Sequence, residues 1–148
     1  MRFFEDYRVA ETFRTDARTV TPREVDSFVE YIGVRNPLFL DEKHASKGPF
    51  GSRIIPGFLT QSLALGLLYR PEIIQYFLLV ESRTRFLKPV RIGDSICVEG
   101  KVTRRKTSPQ DKAGLLTLRT QILNQREERV AEMTLVISVL RRAYAPQG

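Results

Sequence analysis

The sequence predicts a single α+β domain, spanning 1–148, in which an antiparallel sheet wraps around one central apolar helix. Three observations carry this. Residues 57–69 are apolar around most of a helical circumference, so the helix they form has to be surrounded by protein. The second half of the chain repeats instead with a period of two, the pattern of strands that bury one face. Hydrophobic residues make up 42% of the chain and charged residues 28%, which supplies one apolar core and excludes a disordered or fibrous chain.

Taken in order, residues 9–20 are expected to supply a first strand. Thr21, Pro22 and Glu24 then open a helix: Thr21 caps it, Pro22 fits the first helical position, and Glu24 reaches back to close a capping box. Val25, Phe28, Val29 and Ile32 fall on one face, and Gly33 suits the stop. Asn36, preceding Pro37, disfavours continuation. A second short helix is expected over 41–46. The central helix follows the 47–51 loop and ends before Pro71; its length and its Gln61 and Ser62 argue against a membrane span. A long strand over 76–87 leads into the turn from Lys88 to Asp94.

Alternation then marks three further strands through Ile96, Val98 and Val102; through Leu116, Leu118 and Ile122; and through Ala131, Met133, Leu135, Ile137 and Val139. Residues 108–114 form a loose connection, 124–129 a polar hairpin turn, and 143–148 a frayed tail. One buried helix with a strand before it and four long antiparallel strands after it closes most economically as a hot-dog fold, the sheet rolled around the helix.

Composition narrows the function. Cys97 is the single cysteine and His44 the single histidine, so neither an intrachain disulfide nor a cysteine or histidine metal cluster is expected. His44 reads as a surface residue between Lys43 and Lys47. The net charge of +7 suits an anionic partner, but the basic residues are spread along the chain without a zinc-finger, basic-zipper or aromatic-strand signature, which argues against nucleic acid. No segment has the apolar run of a secretory signal or a bilayer span, so the expected location is the cytoplasm, with no membrane partner.

The segment Gly33, Val34, Asn36, Pro37, Leu38, Phe39 and Asp41, with Phe50-Gly51, Pro56-Gly57 and the strand-turn run from Arg85 to Asp94, resembles the MaoC-like (R)-specific enoyl-CoA hydratases and dehydratases over nearly the whole chain. That family writes the first stretch Gly-Asp-x-Asn-Pro-Leu-His-x-Asp, where Asp and His form the acid/base dyad. Val34 and Phe39 occupy those two places here.

The resemblance implies a hot-dog fold, a lyase of fatty acid metabolism by type, and a trans-2-enoyl thioester as ligand. Coenzyme A enters as part of that ligand, and no separate cofactor is implied. The Gly57 amide is the implied donor to the thioester oxygen, and Asn36 and Asp41 shape the loop. Phe39, Phe50, Phe58, Gln61 and Ser62 are pocket candidates. Arg83, Arg85, Lys88 and Arg91 are candidates for the coenzyme A phosphates. Related carrier-protein dehydratases place an acidic residue where Gln61 stands. The implied assembly is a homodimer with joined sheet edges, or a heterodimer with a dyad-bearing hot-dog partner.

Losing one positioned acid or base typically costs roughly 10²–10⁴ in rate, and two are absent. The reading is therefore a thioester-binding member whose dyad is missing. Two alternatives stay open. One is an active hydratase, dehydratase or thioesterase with groups relocated to Tyr31, Asp41 or Glu42, which requires a carboxylate near Gly57. The other is a basic interaction module without thioester chemistry.

Overall fold

In the computed structural model, which describes residues 2–75, 77–107 and 110–146, the chain opens with a 3-10 turn, Phe4–Asp6, and two short strands, β1 (Thr12–Arg14) and β2 (Arg18–Thr19). The single strand expected over 9–20 is thus broken, and Thr15 is the reason. Its N–H donates to the Val98 carbonyl at 2.8 Å, while its buried hydroxyl accepts the Val98 N–H at 3.0 Å and donates to the Asp16 carbonyl at 2.8 Å. A side chain therefore completes the ladder where the backbone turns away.

Helix α1 (Pro22–Ile32) starts in the expected capping box, with the Thr21 N–H donating to Glu24 at 2.9 Å and the Glu24 N–H to the Thr21 hydroxyl at 3.3 Å. Gly33 ends it at φ +74°, a conformation that costs glycine little. Asn36 does not simply stop the chain. Its carboxamide oxygen accepts the Leu38 N–H at 3.0 Å and starts an additional helical turn, α2 (Pro37–Leu40), after which Asp41 caps α3 (Glu42–Ser46) through the His44 N–H at 3.1 Å. The apolar segment forms α4 (Gly57–Leu68).

Four long strands follow: β3 (Phe77–Phe86), β4 (Ser95–Lys106), β5 (Ala113–Leu123) and β6 (Arg129–Leu140). The antiparallel sheet runs β1-β4-β5-β6-β3, with β2 also paired to β4. Its register places Leu118 opposite Leu135 and Leu116 opposite Ile137, so the alternation read from the sequence becomes one continuous buried face. Against that face lie Leu59, Leu63, Ala64, Leu67 and Leu68 of α4, and Val25 and Val29 of α1 complete the core.

The start of the long strand at Tyr76 and the connection at Ser108 and Pro109 lie outside the described residues, as do the last two residues of the tail. The rest of that tail is not frayed. Arg142–Tyr144 form a 3-10 turn anchored by an Arg142–Asp6 ion pair, by the Arg142 N–H on Glu5 at 3.0 Å, and by the Lys112 ammonium over the Tyr144 ring. No described helix is long and apolar enough to cross a membrane.

Replacing Thr15 with valine keeps its shape but leaves the buried Val98 N–H without a partner. Urea denaturation of Thr15→Val should show a loss of about 1–3 kcal/mol; an unchanged midpoint would mean that Thr15 does not hold this edge.

Candidate functional site

Pro56 delivers the chain into α4 beside a cavity whose wall includes Gly57. Among the described residues, the N–H groups of Gly57 and Phe58 have no hydrogen-bond acceptor, whereas those of Leu59 and Thr60 bond to the Pro56 carbonyl. Unpaired amides at the start of a helix carry partial positive charge and hold an oxyanion or carbonyl oxygen well.

The cavity beside Gly57 has a volume of about 360 Å³, and Phe39, Phe50, Ile54, Thr60, Phe86 and Leu87 form most of its wall. Among the described residues, no carboxylate and no imidazole lines it, and its one ionisable wall residue is Lys88. Lys88 is paired with Glu128, whose carboxyl is held down to about 2 by hydrogen bonds from Lys88, Arg126 and Asn124. The wall can therefore bind an apolar chain beside the Gly57 amide, and its one ionisable group among the described residues is held by Glu128.

The elements around the cavity are fixed by residues whose role the sequence did not reveal. Arg53 donates from Nε to the Phe39 carbonyl at 2.8 Å and pairs with Asp26, pinning α2 to α1. Arg91, expected at a phosphate, donates to the Phe50 carbonyl and to the Ser52 hydroxyl at 2.8 Å, while its own N–H donates to Asp94 at 2.9 Å. It is a strut under the 50–52 loop, held there through one guanidinium nitrogen.

The aromatic wall also explains Gly57. A Cβ at that position would sit 2.9 Å from Cζ of Phe86, so the space freed by the missing side chain is taken by this ring. Phe86 and Thr60 were not among the expected pocket residues. Phe86 could have been found in the strand-turn motif from Arg85 to Asp94.

The expected residues divide accordingly. Phe39, Phe50, Gly57 and Lys88 meet at the cavity. Phe58, Gln61 and Ser62 do not line it: Phe58 is 73% exposed, Gln61 donates to the Ser82 hydroxyl at 2.7 Å, and Ser62 donates to the Phe58 carbonyl at 2.7 Å. They stand on the open side of α4. Val34 is half-buried and not part of the wall. Arg83 and Arg85 are exposed on β3, the strand that carries Phe86. The residues considered for relocated chemistry have other tasks or settings: Asp41 caps α3, Glu42 accepts the Arg53 N–H at 3.3 Å, and Tyr31 is 91% exposed.

Comparison with known proteins agrees with this architecture. Residues 6–122 match the MaoC like domain family. The chain is 33% identical over 100 residues to the 3-hydroxybutyryl-CoA dehydratase of Methylorubrum extorquens, covering 68% of this chain and 63% of that one. It is 28% identical over 120 residues to Protein MaoC of Klebsiella aerogenes, covering 76% of this chain and 35% of the relative. It thus spans less than two thirds of either protein. Among solved structures, the MaoC-like dehydratase from Rhodospirillum rubrum superposes with a TM-score of 0.84 at 26% identity, covering 96% of this chain and 99% of that one.

If Arg91 is a strut and Arg83 is not, substitution should separate them. Arg91→Met is expected to lose about 1–3 kcal/mol in urea denaturation, the range for charge-assisted hydrogen bonds. Arg83→Ala should stay within about 0.5 kcal/mol of the parent. Equal effects would contradict the assignment.

Proposed function

The chain belongs to the MaoC-like domain family, and from that premise we propose that it binds acyl thioesters, of coenzyme A or a similar carrier, without performing the family's hydration itself. The observation that carries this is the unpaired Gly57 amide beside an apolar cavity whose wall, among the described residues, holds no carboxylate or imidazole. The thioester carbonyl oxygen accepts from the Gly57 amide, and the acyl chain lies against Phe39, Phe50 and Phe86. Arg83 and Arg85, exposed on the same strand as Phe86, are the available contacts for carrier phosphates. Adding water at C3 of an enoyl thioester requires a base to take the water's proton and an acid to supply C2. Neither Val34 nor Phe39 can do so.

A second observation favours an assembly. The open side of α4 presents Phe58, Leu65 and Tyr69, and β3 is an edge strand whose Leu78 is 75% exposed and Val80 58% exposed. A helix that is apolar all round and the apolar first half of an edge strand both need cover. A second hot-dog domain joined edge to edge at β3 supplies it, either a copy of this chain or a dyad-bearing relative that contributes the missing acid and base.

Two outcomes are expected. Titration calorimetry should detect binding of crotonyl-CoA and longer trans-2-enoyl-CoAs, while the enoyl absorbance persists; Val34→Asp combined with Phe39→His should add hydration, by the scale of one positioned acid/base group at least about 10²-fold over background. Turnover by the unaltered protein alone would overturn the reading. Light scattering should show a dimer that Val80→Glu dissociates; a parent chain that is monomeric both alone and beside a dyad-bearing relative would refute the assembly.

A further inference from the structure

The outer face of the sheet, away from the helix, carries a row of cations that no salt bridge among the described residues uses. The register places Lys101 of β4 directly opposite Arg119 of β5, Arg119 opposite Thr134 of β6, and Thr134 opposite Arg83 of β3. Arg104 stands in the next row, opposite Thr117. All four cations are exposed. Of the carboxylates on this face, Glu99 is engaged with Arg14 at 3.2 Å and with Gln121 at 3.0 Å, and Glu132 with Arg129 at 3.0 Å, while Glu81 stands opposite Val136 in the row beside Arg83. None of the salt bridges among the described residues uses Lys101, Arg104, Arg119 or Arg83.

Like charges directly opposite on antiparallel strands destabilise a sheet. The Lys101–Arg119 pair is therefore a local conflict with stability, of the kind that accompanies a binding role. A groove of about 780 Å³ is lined by Lys101, Arg119 and Thr134 of this row and by Glu99, Gln121 and Glu132 of the row before it. On the far side of the cation row, Val136 lies between Thr117 and Glu81 in the row of Arg104, and beyond it Leu115 and Leu78 lie in one row with Lys106 and Ser138.

We propose that this face docks an acidic amphipathic helix of a partner protein. Its carboxylates meet the Lys101, Arg119 and Arg83 row, and its apolar edge rests on Leu115, Val136 and Leu78. The spacing fits. Adjacent strands are about 4.8 Å apart, so the three cations fall near 0, 5 and 14 Å along the row, and a helix rising about 1.5 Å per residue meets them with acidic residues at about i, i+3 and i+10. A nucleic-acid strand fits less well, because no residue of these rows is aromatic for a base to stack on and a phosphate backbone leaves the apolar flank unused. The proposal shares Arg83 and Leu78 with the thioester and assembly reading, and its test turns on Lys101 and Arg119, which that reading does not use.

The test uses the intact chain and a labelled synthetic 18-residue helix with glutamates at those positions and leucines along the adjoining edge. Its controls are a scrambled peptide of the same composition, a single-stranded oligonucleotide and inorganic polyphosphate, all followed by fluorescence anisotropy. The designed helix should bind more tightly than the scrambled peptide and weaken as salt rises. Lys101→Glu with Arg119→Glu should weaken it at least tenfold. Lys101→Glu alone should weaken binding while raising the melting temperature, because it replaces the like-charged pair with an opposite one. Equal binding of the scrambled peptide, equal or tighter binding of oligonucleotide or polyphosphate, undiminished binding by the double variant, or no rise in melting temperature with Lys101→Glu would each overturn the proposal.

Discussion

The constraint on which the structure depends is that α4 is apolar on every side while the sheet covers only part of it. Leu59, Leu63, Ala64, Leu67 and Leu68 go under the sheet, and burial of each large side chain contributes about 1.5–3 kcal/mol relative to exposure. Packing so firm on one side fixes the helix axis, and with it the place where the unpaired amides of Gly57 and Phe58 open. The other side, with Phe58, Leu65 and Tyr69, stays open. The core follows from this one helix, and the proposed ligand site and assembly surface rest on it as well.

Around the helix start, the chain separates charge from apolar surface. Lys88 is tied to Glu128, Arg91 to the 50–52 loop and Arg53 to the Phe39 carbonyl, so charged groups frame the cavity without entering it as free donors or bases. Inside, Phe39 and Phe86 stand close to the Gly57 amide. A low-dielectric wall strengthens a hydrogen bond to a carbonyl oxygen but penalises a charged intermediate or a stranded water. The physics of this wall favours holding an acyl group over transforming it.

Much of this was legible in the sequence, for identifiable reasons. The capping box at Thr21 and Glu24, the stop at Gly33 and the alternation through Met133, Leu135 and Ile137 are local signals, and local hydrogen bonding and burial realise them directly. Phe39, Phe50 and Gly57, read from motif segments, line the cavity at the helix start. Phe58, Gln61 and Ser62 lie on the open side of α4, a placement periodicity could not give because the helix has no polar face to orient it. The break at Thr15 and the anchored turn at Arg142 depend on partners far along the chain, Val98 for one and Glu5 and Asp6 for the other. Likewise, only the fold distinguishes Arg91, which is a strut, from Arg83, which is free in solvent, since both lie on the same strand-turn segment.

The central claim is that the Gly57 amide holds a thioester carbonyl. Isotope-edited infrared spectroscopy of butyryl-CoA carrying a ¹³C-labelled thioester carbonyl tests it directly, because a hydrogen bond from a helix start lowers the carbonyl stretch. The account predicts a lower frequency on binding, and its return toward the solution value in Gly57→Ala, where the added methyl group displaces the Phe86 ring and disturbs the donor. A bound carbonyl at its solution frequency, or a shift that Gly57→Ala leaves intact, would place the thioester elsewhere and contradict the account.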